Sequence, residues 1–224
     1  NTSESTIRRD IITLDKEGRL TKVFGGAIAL HPAQIVNKEL SMVQKQELQT
    51  TEKQAIARYA ASLIEPDDCV YLDAGTTTGW MIEYIRQEKA TYITNALSHA
   101  KRLADKGFSV ILIGGEPKSS TDAIVGGEAV LNLQKYHFSK GFFGVNGVDR
   151  LSGFTTPDVK EAMVKQAAVK NTQPAHRYFL TTSSKFGEVY AVTFAGFEGG
   201  TILTEDNVSE VLPKSIEIIN VTQQ

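Results

Sequence analysis

The chain lacks most of the features that would classify it at a glance. Its 224 residues include a single cysteine, Cys69. One thiol excludes an intrachain disulfide framework and fits a reducing cytoplasm. Cys69 lies in an apolar run and reads as a buried structural thiol. No uninterrupted apolar stretch approaches the ~20 residues of a membrane span, and no signal-peptide pattern is visible, so no membrane partner is expected. Charge of one sign is not in excess, and a net charge of −2 argues against a generic polyanion binder. The histidines His31, His99, His137 and His176 stand far apart, and none has a metal-ligand spacing. Neither a metal nor a cofactor is expected. The Gly-Lys-Ser/Thr of a P-loop is missing, and so are internal repeats and low-complexity segments.

What is present starts at the N-terminus. Ser3 is a good N-cap, and Ile7, Ile11 and Leu14 recur at helical spacing. Ser5, Thr6, Arg8 and Arg9 share this helix, with Thr6 and both arginines off the apolar stripe. A short helix of this kind can place its N-terminal half in a DNA major groove. Gly18 ends it, and Arg19 to Gly26, with Lys22, reads as a basic hairpin-like wing. Residues 1–27 hold five basic side chains against four acidic ones, so DNA affinity depends on how these charges are arranged. A helix-turn-helix unit needs earlier helices to bury the stripe, and the chain starts at Asn1. The expectation is a truncated or processed chain that binds an operator weakly. The order Ser-x-x-Thr-Ile-Arg-Arg-Asp, then Leu-x-x-x-Gly-x-Leu and Gly-Gly-Ala, resembles the end of the winged-helix domain of the DeoR family of bacterial transcription regulators.

Beyond a linker at residues 28–36, residues 37–64 read as helix, stopped by Pro66-Asp67-Asp68. From Cys69 onward, short apolar strands alternate with helices of about ten residues, which indicates an α/β fold with a mostly parallel sheet. Strands are expected at 69–72, 92–94, 108–113, 140–145, 177–181, 201–203 and 215–221. Helices are expected at 79–87, 97–106 and 158–170. In open α/β sheets, ligands gather at the carboxyl ends of strands. Those ends carry Asp73-Ala74-Gly75-Thr76-Thr77-Thr78-Gly79, then Thr94-Asn95, then Gly114-Gly115-Glu116. Asn146-Gly147 follows, with the nearby loop Gly153-Phe154-Thr155-Thr156-Pro157-Asp158, and last comes Ser183-Ser184-Lys185-Phe186-Gly187. Free amides and hydroxyls at the Gly75–Thr78 helix start suit an anion. Lys185 can add a point charge.

The same strings are similar to the effector domain of DeoR-type regulators. That resemblance implies a Rossmann-like fold related to ribose-5-phosphate isomerase and glucosamine-6-phosphate deaminase, with a remnant winged helix-turn-helix at the N-terminus. It implies a phosphorylated sugar as effector, with Gly75, Thr76, Thr77 and Thr78 holding phosphate. Asp73, Asn95, Gly115, Asn146, Gly147, Thr155 and Lys185 complete the expected effector site. The DNA-binding set is Ser5, Thr6, Arg8, Arg9, Arg19 and Lys22. Glu161 and Lys165 match a family Glu-x-x-x-Lys spacing. Four apart on a helix, they read as a surface salt bridge worth a few tenths of a kcal/mol.

The expected domains are a partial winged helix (1–28), a linker and helix (29–50) and a sugar-phosphate-sensing effector domain (51–224). The expected function is a sugar-operon repressor acting on operator DNA as a homo-oligomer. Gly-Val-Asn-Gly and Gly-Phe-Thr-Thr-Pro-Asp resemble fructose-operon repressors, which favours fructose 1-phosphate, with tagatose 6-phosphate next. The alternative is a sugar-phosphate isomerase or deaminase of the same fold. Such chemistry needs a carboxylate base; Asn146 stands where the related enzymes place acids, Asp73 and Asp149 remain as carboxylates without a metal or nucleophile constellation beside them, and no catalytic residue is expected.

Overall fold

A computed structural model of the chain describes residues 3–16, 20–29, 34–36, 44, 47–208, 212–213 and 216–223. Gly18, Arg19, Ser215 and most of the helix expected from 37 to 46 lie outside the described residues.

Helix α1 (Glu4–Lys16) starts as anticipated, with the Thr6 amide donating to Ser3 Oγ at 3.3 Å. A hairpin of β1 (Leu20–Val23) and β2 (Gly26–Ala29) follows. Its turn is closed by Gly25 at φ +86°, a left-handed conformation that glycine adopts without strain. Strand β3 (Gln34–Ile35) comes next. Gln49 then takes φ +50°, so no helix runs unbroken from 37 to 64; α2 spans Thr50–Ser62.

Seven parallel strands form the main sheet, in the spatial order β16-β15-β12-β9-β4-β5-β6. They are β4 (Cys69–Leu72), β5 (Thr91–Thr94), β6 (Ser109–Leu112), β9 (Lys140–Gly144), β12 (Arg177–Leu180), β15 (Gly200–Thr204) and β16 (Glu217–Asn220). Alternate side chains feed two cores, because successive strand residues point to opposite faces. Val70, Leu72, Tyr92 and Phe142 pack under α2, α3 (Thr76–Tyr84) and α4 (Leu97–Asp105). Tyr71, Ile93, Phe143 and Phe179 pack on the other face. There they meet α5 (Gly127–Leu133), α6 (Val159–Lys170) and an antiparallel sheet of β10 (Gly147–Asp149), β11 (Gly153–Thr156) and β14 (Val192–Ala195). Phe154 of β11 stacks on Phe179 with ring centroids 3.9 Å apart. Residues 153–156, expected as a loop, are therefore a strand: Thr155 and Thr156 are fully buried and pair with β14. The hairpin of β7 (Glu116–Lys118) and β8 (Ala123–Val125), the helix α5 and the short β13 (Glu188–Val189) were likewise not anticipated.

Strand order places the site. From β4 the chain proceeds through β5 and β6 to one edge, and from β9 through β12 and β15 to the other. The two directions part between β4 and β9, and at such a switch point the loops diverge and leave a crevice beyond the strand ends.

Candidate functional site

The crevice holds a cavity of about 60 Å³ walled by the loop after β4 (Asp73 to Thr77) and the loop after β9 (Gly144 to Asn146). Asn95, Thr121, Glu161 and Lys165 close it. A wider cleft of about 320 Å³ adjoins it and shares Thr76, Thr77, Val145 and Asn146 as a common wall. Lys53, Thr181, Thr182, Ser184 and Lys185 line this outer part.

Lys165 and Glu161 do not form the expected helix-surface salt bridge. Both are buried, and each turns to a different partner. Lys165 Nζ donates to Asp73 Oδ2 and, at 3.0 Å, to the Gly144 carbonyl, so it ties the two loops of the switch point together. Glu161 accepts from Thr121 Oγ1 at 2.6 Å and from Lys118 Nζ at 2.9 Å. The signal was present in the sequence: Glu161, Val164, Lys165 and Ala168 share one helical stripe, and all four are buried. Two charges on a buried stripe require inward-facing partners.

Asp73 is 1% exposed. Its Oδ2 also accepts from the Gly144 amide at 3.0 Å, while Oδ1 has no hydrogen-bond partner among the described residues. Burial raises the Asp73 carboxyl above its ordinary range, against the pull of Lys165 and the Gly144 amide. Burial, with the Asp73 charge adding to it, also drives the Tyr71 phenol well up.

The other anticipated effector residues fall into three groups. Gly75, Thr76 and Thr77 line the cavity at the start of α3, where unpaired helix amides cluster. Asn95 lines it too, but its side chain is committed to the protein: Oδ1 accepts from Tyr71 Oη and the Ala74 amide, and Nδ2 donates to the Ile124 carbonyl. It shapes the wall. Asn146 sits on the shared wall, its Oδ1 accepting from Thr156 at 3.2 Å. Thr78, Gly147, Thr155 and Gly115 are not among the lining residues. Thr78 Oγ1 is turned back onto the Asp73 and Gly75 carbonyls. Thr155 is buried, donating to the Gly147 carbonyl. Gly147 permits a close approach, since a Cβ there would sit 2.3 Å from the Glu188 carbonyl oxygen. Gly115 opens the β7–β8 hairpin, where a Cβ would meet the Val125 carbonyl at 2.7 Å. Lys185 lies in the outer cleft, 3.7 Å from Glu188. Lys53 and Gln49, which sequence reasoning missed, share that cleft. Folding back from a distant segment carries no local signal.

In the N-terminal segment Ser5, Thr6, Arg8, Arg9 and Lys22 are exposed. Arg8 pairs with Glu4 at 2.8 Å. Ile7 is 48% exposed, and Ile11 and Leu14 are half-buried, so the apolar stripe is only partly covered among the described residues. Among those residues no helix is long and apolar enough to cross a membrane.

Residues 48–207 match the family model of the DeoR C terminal sensor domain, and residues 1–33 match that of the DeoR-like helix-turn-helix domain. The uncharacterized HTH-type transcriptional regulator FruR of Bacillus subtilis (strain 168) is 45% identical over 207 residues, 92% of this chain and 80% of that protein. The lactose phosphotransferase system repressor of Staphylococcus aureus (strain N315) is 37% identical over 220 residues, 97% of this chain and 86% of that protein. Among solved structures, ribose 5-phosphate isomerase A from Methanocaldococcus jannaschii is 13% identical with a TM-score of 0.42, covering 60% of this chain and 53% of that one.

Proposed function

The chain belongs to the DeoR family of transcriptional regulators, and from that premise we propose that it represses a sugar-utilisation operon and senses a phosphorylated sugar in the crevice between β4 and β9. The observation that carries the reading is the convergence of the Asp73–Thr77 and Gly144–Asn146 loops on one polar cavity at the switch point. An anion is favoured at the α3 amides and at Lys185. Fructose 1-phosphate is the first candidate and tagatose 6-phosphate the second, since the relatives this chain resembles include FruR and a lactose phosphotransferase system repressor. The division of labour is 1–28 for DNA, 29–50 as connection and 51–224 for the effector, in a cytoplasmic homo-oligomer.

The route from effector to DNA runs through the segment 182–189. Gln49 Oε1 accepts from Thr182 Oγ1 and Ser184 Oγ at 2.8 and 2.9 Å. Glu188 and Val189 pair with Gln34 and Ile35 in parallel register, and the Val36 amide donates to the Val189 carbonyl. One effector-side segment thus holds chain on both sides of residues 37–46. A ligand that draws Lys185 away from Glu188 moves the strand to which β3 is paired. A coupling of ~1–3 kcal/mol changes operator affinity about five- to 150-fold, provided the ligand binds the two states differently.

Regulation without turnover is the reading favoured. Asn146 carries no basic carboxylate, and Asp73 is engaged by Lys165 and the Gly144 amide. Still, Asp73, Glu161 and Lys165 around one cavity are groups an isomerase could use. NMR of sugar phosphates incubated with the protein separates the two: turnover above background would sink the regulator-only reading. Calorimetric titration with fructose 1-phosphate and tagatose 6-phosphate, followed by operator titration with and without the bound sugar, tests the main proposal. A sugar that binds but leaves operator affinity unchanged would defeat it.

A further inference from the structure

We infer that the inner cavity receives the hydroxyl end of a ligand bearing one phosphate, that the phosphate stays in the outer cleft, and that Asp73 makes the site refuse a second phosphate. This rests on the sugar-phosphate reading above and goes beyond it by fixing which end enters and which ligands are turned away.

Size is the first constraint. A water molecule needs ~10–15 Å³ of such space, so the inner cavity, at about 60 Å³, takes one end of a phosphorylated hexose and leaves the rest in the adjoining cleft of about 320 Å³.

Charge decides the end. The inner lining carries two carboxylates, Asp73 and Glu161, and one cation, Lys165, which is already bonded to Asp73 and to the Gly144 carbonyl, while Glu161 is bonded from outside the lining by Lys118 at 2.9 Å. The outer lining carries two cations, Lys185 and Lys53, the latter also donating to the Leu48 carbonyl at 2.6 Å, and no carboxylate among the described residues. Thr181, Thr182 and Ser184 share this lining, the hydroxyls of Thr182 and Ser184 donating to Gln49 Oε1. The first turn of α3, at Thr76 and Thr77, borders both spaces and presents its amides at the boundary. Lys185 meets Glu188 only at 3.7 Å, a loose pair for which a phosphate can compete.

The unpartnered Asp73 Oδ1 supplies the selectivity. It belongs to a side chain 1% exposed and lining the inner cavity, and it has no donor among the described residues. A buried carboxylate oxygen is an acceptor and requires a donor. A sugar hydroxyl is one. A phosphate dianion offers acceptors and a like charge, so placed there it would meet Asp73 and Glu161 unfavourably. A bisphosphate cannot keep both of its phosphates in the outer cleft if its middle is to fill the boundary.

The experiment is isothermal titration calorimetry of the wild-type protein with fructose 1-phosphate, tagatose 6-phosphate and fructose 1,6-bisphosphate. The better monophosphate is expected to bind about tenfold or more tightly than the bisphosphate. Asp73→Asn should move that ratio toward parity whatever it does to absolute affinity, because a mere loss of structure weakens both ligands alike. Glu161→Gln should do the same by a separate group, and it serves if Asp73→Asn does not fold. Competition by inorganic phosphate should be weakened by Lys185→Ala and kept in Asp73→Asn. A bisphosphate that binds as tightly as the monophosphates in the wild type, or a ratio that neither variant moves, would overturn the inference while leaving the sugar-phosphate reading intact. If none of the sugars binds, that reading fails first and takes this one with it.

Discussion

Lys165 on α6 reaches past Glu161, one turn away on its own helix, and pairs with Asp73 at the end of β4. The pair joins the two strands between which the sheet changes direction, since Lys165 also holds the Gly144 carbonyl at the end of β9. Removing one partner leaves the other charge buried. Lys165→Met should therefore destabilise the fold by about 3–5 kcal/mol. Adding Asp73→Asn should recover part of that loss, measured by urea unfolding as a double-mutant cycle. Strict additivity would show that the two side chains are not coupled.

At the opposite end of the sheet, Lys140 is buried and bonds Asp68 at 2.8 Å and Glu65 at 2.6 Å. Burial pushes the Asp68 carboxyl up, but bonds from Lys140, Ser139 and the Glu65 amide outweigh it and hold the group below its ordinary value. A depressed carboxylate adds stability above its unfolded pKa of ~3.9, and that stability is lost as pH falls through the lower folded value. Lys140 is raised despite its burial, by the same partners, so its share is present below an unfolded pKa of ~10.4 and lost as pH climbs through the folded one. Asp68→Asn should flatten the acid limb of a stability–pH curve below about pH 4. An unchanged acid limb would remove Asp68 from its cause.

Gly147 lies where the wall of the site meets β13, and a side chain there would press on the Glu188 carbonyl from 2.3 Å. Gly147→Ala should cost about 1–3 kcal/mol, the range for overpacking. It should also shrink the effect of bound sugar on operator affinity, because β13 carries the pairing with β3. A variant with full stability and full coupling would show that this approach is immaterial.

Lys185→Ala should weaken the sugar phosphate by ~1.5–3 kcal/mol, the scale of a hydrogen bond to a charged group. Titration calorimetry reads this directly. Equal affinity in wild type and variant would place the phosphate elsewhere.

Arg8 is exposed on α1 and, among the described residues, pairs with Glu4. Arg8→Ala should leave sugar affinity alone and weaken operator binding. A shallower salt dependence would mark a phosphate contact, and relaxed specificity at one base pair a base contact. Operator affinity identical at every salt concentration would exclude Arg8 from the interface.

The positions of the parallel strands were legible because strands buried on both faces are short apolar runs, as in Val70-Tyr71-Leu72 and Gly141-Phe142-Phe143, whereas their spatial order was not. Strand ends were legible for the same reason, and with them Gly75, Thr76, Thr77 and Asn146. The antiparallel sheet was not. Gly153-Phe154-Thr155-Thr156 has the composition of a turn, and it is extended because Phe154 stacks on Phe179 and the threonines pair with β14. Gln49 breaks a helical pattern for a comparable reason: its side chain is bonded to Thr182 and Ser184, more than 130 positions away.

Local pattern alone thus determined that this chain alternates strand and helix, and which turns crowd the carboxyl ends of the strands, because burial period and turn chemistry act over a few residues. Which charge faces which was decided only when the chain closed on itself. Lys165 had Glu161 within one helical turn and took Asp73, 92 positions distant, because a buried ammonium is bound to whatever acceptors packing brings beside it, and sequence distance has no part in that choice.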